Sequence, residues 1–360
     1  MAVLVSAVEV GSVRSLIPVL TVLAETHKLI IEKNFFFNKE IPKNLRKCLV
    51  DIPIQKNSLV EFILKQDIRV LLFSVNVKNT SPLKIARVVN SLNLPTIHLL
   101  DYWNGYRSRM ELDGKKLFNP TKYLVIDKYS KQEAEKCGIK PNIIKVVGQP
   151  AFSDLGAQYI LESQKKDPFK KIKNIGQNII LFVLEPVEDD QGSSLKDNKN
   201  FRGYTEKDVI KILICALKSA ESNCKIILIP HPRQNLTKLI KHWRINGGEK
   251  YGSVLDFQRG KDILPFVDGV IGMASTLLYE AWLVGKHVLS IQPNLRNDSL
   301  RFLSNKKRVT FIDQSVNSEN IIIKWLSDIS DKKDLPFNDE LKLHRNSIKS
   351  VVDEVLLFHN

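Results

Sequence analysis

The sequence predicts an α/β protein of two Rossmann-like domains, and three observations carry that prediction. Strand and helix signals alternate from one end of the chain to the other. The strands are continuous apolar runs, the pattern of parallel strands covered by helices on both faces. And 360 residues exceed one ordinary domain and suit two.

The elements follow in order. AVLVSAV (2–8) is an apolar run ending in the polar turn EVGS, and RSLIPVLTVLAE (14–25) has helical spacing. HKLIIEK (27–33) returns to strand, SLVEFILKQ is helical, and RVLLFSVNV (69–77) is the next strand. Ser81 and Pro82 open a helix over 81–93 as cap and first-position proline. PTIHLLDYW (95–103) and KYLVIDKY (122–129) read as strands, and KVV before Gly148 ends the last strand of this half. A lysine-rich bridge at 156–177 precedes a second series. There NIILFVLEP (178–186), KIILIPHP (225–232), SVLDF (253–257), GVIGM (269–273) and KHVLSIQ (286–292) read as strands. Helices fall at 208–220 and 236–245, KDILPFVD makes a short helical link, and 338–358 has helical spacing throughout. The expected domains are 1–156 (acceptor side), 157–337 (nucleotide side) and a helix over 338–360 that returns to the first domain.

Composition narrows the function. The apolar fraction is 43 %, enough for two cores, and no apolar run approaches the ~18 residues of a membrane span. The amino terminus has no positive leader and reads as a first strand rather than a signal peptide. Cys48, Cys137, Cys215 and Cys224 lie far apart with no CxxC pair, which fits neither a zinc site nor a disulfide framework and suits a cytoplasmic protein. The net charge of +15 is spread over both halves. It favours anionic partners such as nucleotide phosphates, anionic lipid or nucleic acid, and it equally fits solvated surface lysines. The lysines are not striped, and the aromatic and glycine signatures of RNA modules are missing, which argues against nucleic acid. A peripheral place on the inner face of an anionic membrane remains compatible with the charge.

Ligands of such sheets bind beyond the carboxyl ends of the strands, and that rule selects a few polar segments. In PHPRQN (230–235), Pro232 fixes the backbone while His231 and Arg233 offer donors to a phosphate. In GMASTLLYEA, Gly272 permits a tight turn, Ser275 or Thr276 can cap the next helix, and its amino terminus favours an anion. Glu280, just over one turn further in, is placed to hold sugar hydroxyls or to pair with a base. Glu185 in FVLEPVEDD opens a loop that reads as a binding flap or a plain insertion. Gly11 and Arg14 after the first strand, and Gly148, Gln149 and Pro150 after the last of the first half, are candidates for a crevice wall. Asp101 and Glu9 are the candidate general bases, ahead of His98, which reads as a core residue. No metal-ligand cluster is visible in the sequence, and no cofactor is expected beyond a nucleotide-sugar substrate.

The order VVGQPAF, strand-EP-loop, ILIPHPR, then DILPFVDGVIGMASTLLYEAWLVGKHVLSIQP resembles the GT-B glycosyltransferases and their relatives, the UDP-N-acetylglucosamine 2-epimerases. The His-Pro and Ser-Thr pairs also look like those of transferases using CMP- or CDP-linked donors. The resemblance covers roughly 145–295 well and the first domain weakly. It implies two domains facing a cleft. The diphosphate would lie on the turn carrying Ser275 and Thr276, the ribose on Glu280, and His231 and Pro232 would contact donor phosphate. It further implies a metal-independent glycosyltransferase that moves a sugar to a glycan or lipid-linked acceptor in surface polysaccharide synthesis. Alternatives are a nucleotide-sugar 2-epimerase or hydrolase, and a non-catalytic basic protein binding nucleic acid or a membrane surface. The Gly-Thr-Arg-Pro-Glu turn of a hydrolysing epimerase is absent: here Gly11-Ser-Val-Arg14-Ser stands after the first strand.

Overall fold

A computed structural model of the chain describes residues 2–77, 79–112, 114, 116–172, 177–221, 223–255, 260–297, 300–330 and 335–358. It divides into two units, one of Met1–Asp154 with Glu340–Asn360, the other of Leu155–Asp339.

Unit 1 is a seven-stranded parallel sheet. Its strands are β1 (Ala2–Ala7), β2 (Lys28–Glu32), β3 (Leu49–Val50), β4 (Ile68–Ser74), β5 (Thr96–Leu99), β6 (Lys122–Val125) and β7 (Ile144–Val146). The order β3-β2-β1-β4-β5-β6-β7 reverses direction between β1 and β4, the topological switch point of a Rossmann sheet. β1 is buried at all six positions, which explains why its sequence is apolar without alternation. One face of the sheet packs Leu71, Phe73, Tyr123 and Val125. The other packs Leu72, Leu99 and Leu124 with the helix Val10–Leu23 and with Val351 and Val355 of the returning carboxyl-terminal segment.

Unit 2 repeats the design with six parallel strands. They are β8 (Asn178–Val183), β9 (Cys224–Ile229), β10 (Gly252–Val254), β11 (Gly269–Gly272), β12 (His287–Ile291) and β13 (Val309–Ile312). The order β10-β9-β8-β11-β12-β13 places the switch point between β8 and β11.

Several boundaries differ from the sequence reading, each for a local reason. The first helix starts at Val10 rather than 14, because Gly11-Ser12-Val13 continues it directly from the strand end. The stretch read as one strand over 122–129 is β6 followed by the helix Lys128–Lys136. Asp127 and Ser130 form a reciprocal capping box there, a start signal that the apolar run concealed. The expected single helix over 338–358 is two, Glu340–Arg345 and Ser347–Leu356, with the Ser347 hydroxyl donating to the carbonyl of His344 at the break. β13 and the helix Ser318–Ser330 carry no element in the sequence reading. The last two residues of the expected strand 253–257 lie outside the described residues. No helix among the described residues is long and apolar enough to cross a membrane.

Candidate functional site

At the switch point of unit 2, three strand-end loops are tied together by side chains. Gly272 ends β11 against β8: a Cβ there would stand 2.9 Å from the carbonyl oxygen of Val183 and 2.6 Å from Leu278. Only glycine lets the two strand ends approach this closely. Ser275 is the N-cap of the helix Thr276–Leu283, its hydroxyl accepting from the N–H of Leu277 at 3.2 Å. The Ser290 hydroxyl at the end of β12 holds the turn by donating to the carbonyl of Met273 at 2.6 Å. Thr276 begins the helix, and Glu280 sits half-buried one turn further along.

The loop after β8 reaches across to this turn. Glu185 accepts the backbone N–H of Ala274 on one carboxylate oxygen at 2.6 Å and faces the Arg202 guanidinium with the other at 3.5 Å. Glu185 therefore organises the turn with its side chain. Its backbone carbonyl also accepts from Gln234 Nε2 at 3.4 Å, which ties in the loop after β9.

In that third loop, Gln234 Oε1 accepts from the N–H of His231 at 2.8 Å, and the N–H of Arg233 donates to His231 Nδ1 at 3.2 Å. A nitrogen that accepts a backbone N–H carries no proton, so neutral His231 holds its hydrogen on Nε2. Burial, and then the Arg233 charge, lower the His231 pKa below the usual histidine value and keep that ring neutral. Pro232 is exposed between them. Arg233 forms a two-pronged pair with Asp190 at 2.7 and 2.8 Å. Asn235 caps the following helix, Leu236–Ile245. Gln234, Asp190 and Arg202 are not among the residues that the sequence singles out. Gln234 was within reach of it, two residues past the His-Pro pair, whereas Asp190 and Arg202 lie in the loop that read as flap or insertion.

The switch point of unit 1 is built differently. Glu9 stands at the N-cap position of the first helix without capping it, and accepts from Asn76 Nδ2 at 2.9 Å. Asp101 is engaged on both carboxylate oxygens. One of its oxygens accepts from the Ser12 hydroxyl at 2.7 Å and the other from Arg109 Nη1 at 2.5 Å. Arg109 is 4 % exposed and also donates to the carbonyl of Val75 at 2.8 Å and to Asn104 at 3.3 Å. Val75 and Asp101 follow β4 and β5, so this one guanidinium joins two strand ends, and Ser12, beyond β1, bonds to the same Asp101 carboxylate. Gly11 lies against the same carboxylate, its hypothetical Cβ 3.3 Å from Asp101 Oδ2. Arg14 is instead turned to Glu40, at 2.8 Å, and exposed.

Gly148-Gln149-Pro150 links this site to the returning segment. Gly148 has φ +87°, and a Cβ would stand 2.8 Å from the carbonyl oxygen of Leu343. Gln149 donates from Nε2 to the carbonyl of Asp101 at 3.0 Å, while its backbone N–H donates to His344 Nδ1 at 2.9 Å. Pro150 opens a short 3₁₀ turn.

His98 is a core residue, packed between the rings of Phe73 at 5.1 Å and Tyr123 at 4.7 Å. Neither ring nitrogen has a hydrogen-bond partner. Burial, with the nearby Arg109 charge, holds its pKa well below the usual 6.5. The unfolded chain therefore takes up the proton first, so stability is intact above pH 6.5 and is lost as the pH falls below it. Each unit of pH in that window should cost up to about 1.4 kcal/mol from this group. Denaturant titrations across the window should show a shallower acid loss for His98→Phe than for the parent chain. An identical pH profile in the variant would refute this.

A depression of about 560 Å³ lies at the other end of β2, lined by residues such as His27, Lys28, Lys47, Cys48 and Gln66. None of the strand-end residues above touches it. Among the described residues, no group of three or more His, Cys, Asp or Glu side chains could hold a metal ion.

No family model matches the chain, and no curated protein matches it. Solved structures do. The UDP-GlcNAc 2-epimerase of Methanocaldococcus jannaschii aligns over 99 % of this chain and 100 % of its own, with TM-score 0.64 and 14 % identity. The Neisseria meningitidis UDP-GlcNAc 2-epimerase bound to UDP-GlcNAc aligns over 99 % and 100 %, with TM-score 0.63 and 13 % identity. Anabaena HepE in complex with UDP aligns over 99 % and 97 %, with TM-score 0.61 and 13 % identity. The two parallel sheets with flanking helices match these structures, and the chain has the two-domain GT-B fold.

Proposed function

We propose that the protein is an enzyme that breaks the bond between the anomeric carbon of a sugar and the β-phosphate of UDP, acting as a nucleotide-sugar 2-epimerase or hydrolase. The observation that carries this is the knot of loops at the unit 2 switch point, which presents a neutral His231 Nε2–H and a Ser275-capped helix amino terminus around Glu185. The likeness in fold to a UDP-GlcNAc 2-epimerase in complex with UDP-GlcNAc and UDP, and to MnaA with UDP, favours UDP over CMP or CDP.

When the C1–O bond breaks, its electron pair moves to the phosphate oxygen and negative charge grows there, while the anomeric carbon takes up the oxygen of water in hydrolysis, or gains the electron pair of the C2–H bond as that proton leaves to a base in epimerisation. Donors fixed in advance at that phosphate oxygen lower the barrier. In this proposal His231 Nε2–H, the Ser275 and Thr276 hydroxyls and the helix N–H groups supply them. Glu280 accepts from the ribose hydroxyls. Arg233 exchanges the Asp190 carboxylate for the diphosphate, a group of similar geometry. Glu185 and Gln234 touch no substrate and hold the donors in register.

A glycosyltransferase that hands the sugar to a glycan or lipid-linked acceptor shares this bond-breaking step. It is favoured by the engagement of Asp101 with Arg109 and Ser12, and by the Gly11-Ser-Val-Arg14 turn. Incubation with UDP-GlcNAc alone separates the two. Free or epimerised sugar without acceptor supports the first reading, and turnover only with an acceptor supports the second.

Nucleotide binding is tested directly by a thermal-shift panel of UDP, CMP, CDP and GDP. UDP at ~100-fold over its Kd adds about 2.7 kcal/mol to unit 2, a rise of roughly 5–10 °C for a domain of this size. Glu280→Ala should lose most of that rise, measured against the melting of its own nucleotide-free form. No shift with any nucleotide would end the reading.

A further inference from the structure

We propose that Asp190 is an intramolecular competitor of the nucleotide, a carboxylate that holds Arg233 until a diphosphate displaces it. The inference rests on the nucleotide reading of the unit 2 switch point and adds a control on how tightly that site binds.

The pair joins two strand-end loops. Asp190 follows β8 and Arg233 follows β9, 43 residues apart in sequence. Arg233 Nη1 donates to one carboxylate oxygen at 2.7 Å and Nη2 to the other at 2.8 Å. A phosphate offers an arginine the same two-pronged partner. The Arg233 side chain is 57 % exposed, so an anion from solvent reaches it without any unfolding. Its backbone N–H donates to His231 Nδ1 at 3.2 Å. That contact roots the arginine beside the ring proposed to face the leaving phosphate.

Asp190 is set in place by the rest of its short helix, Val187–Gln191. Val187 is buried. The N–H of Glu188 donates to the Glu206 carboxylate at 2.9 Å, and the Glu188 carboxylate pairs with Lys207. The N–H of Asp190 donates to the carbonyl of Pro186 at 3.0 Å, and that of Gly192 to the carbonyl of Glu188 at 2.8 Å. Gly192, at φ +72°, ends the helix there. The carboxylate is therefore anchored, and the long arginine side chain is the partner that moves. A diphosphate brought to the pair would be repelled by Asp189 and Asp190. Ligand and carboxylate thus exchange on Arg233 and do not share it.

A well-aligned but exposed pair leaves its arginine disengaged for roughly one part in five. The apparent Kd of a ligand that needs the arginine rises by the inverse of that fraction, about fivefold. Such differences fall mainly on dissociation, so Asp190 shortens the stay of a UDP product.

The test is a calorimetric titration of UDP into the full chain, Asp190→Ala, Arg233→Met and the double variant, with the melting of each nucleotide-free form as the folding control. Asp190→Ala should bind UDP about fivefold more tightly than the parent. Arg233→Met should bind it more weakly, and adding Asp190→Ala to that chain should change nothing further. Asp190→Asn keeps the size of the side chain and carries the same expectations where Asp190→Ala melts early. Equal tightening in both backgrounds overturns the inference, because it reports only the removal of a negative charge near the phosphates. Unchanged affinity in Asp190→Ala also overturns it and leaves the nucleotide reading standing, since the parent still binds. UDP bound by none of these chains removes the nucleotide reading and this inference together.

Discussion

Arg109→Met is expected to destabilise unit 1 by about 3–5 kcal/mol, the usual cost of removing one partner from a buried ion pair. The side chains of Arg109 and Asp101 are each 5 % exposed, so the carboxylate left behind has no route to water. Ser12 would still donate to it, but one neutral hydroxyl does not compensate a buried charge. The cost should surface as faster hydrogen exchange in β4 and β5, whose ends the guanidinium joins through Asp101 and the carbonyl of Val75. Adding Asp101→Asn to the same chain should restore much of the loss, because no buried charge then stands alone. A double variant as unstable as Arg109→Met would show that shape, and not charge pairing, sets the penalty.

The second large effect is on turnover. His231→Ala should lower kcat for cleavage of a UDP-sugar by about 10²–10³-fold, the range found when a single preorganised donor to a developing oxyanion is removed. His231→Gln should recover part of this, since its amide can present an N–H near the position of Nε2. The contrast with Glu280→Ala is informative. Glu280 is proposed to hold ribose equally in ground and transition states, so its loss should raise KM with little change in kcat. Equal kcat in His231→Ala and the parent would remove His231 from the mechanism and leave the nucleotide site to be argued from Ser275 and Glu280 alone.

The sheets were legible because their strands are buried on both faces and read as unbroken apolar runs, β1 and β8 most plainly. Strand order was not, since crossovers leave no mark on local periodicity. The polar tips at His231, Gly272 and Ser275 could be found from the rule that parallel sheets bind at their carboxyl ends, and the N-cap role of Ser275 is what its residue type suggested. What local reading missed was the set of partners that decide each group's chemistry. Asp190 lies 43 residues from Arg233, and Glu185 is 89 from the amide it holds. A buried arginine runs against the usual placement of that residue, so Arg109 went unnoticed eight positions after Asp101. Glu9 and Asp101 looked alike as candidate bases. They differ because one faces an exposed amide and the other a buried cation.

The division of unit 1 into two stretches of chain has a consequence for its birth. A ribosome finishes residues 155–339, the whole of unit 2, before it makes the segment 340–360 that completes unit 1. Until then Gly148 lacks the carbonyl of Leu343 packed against it, Gln149 lacks the His344 acceptor, and Lys122 and Lys145 lack the Glu354 carboxylate they face. The usual order of vectorial folding, amino-terminal domain first, is therefore inverted. The later unit can close on its own, and the earlier one must wait, with the apolar face meant for Val351 and Val355 uncovered. That interval is when a nascent chain of this design has most need of a chaperone.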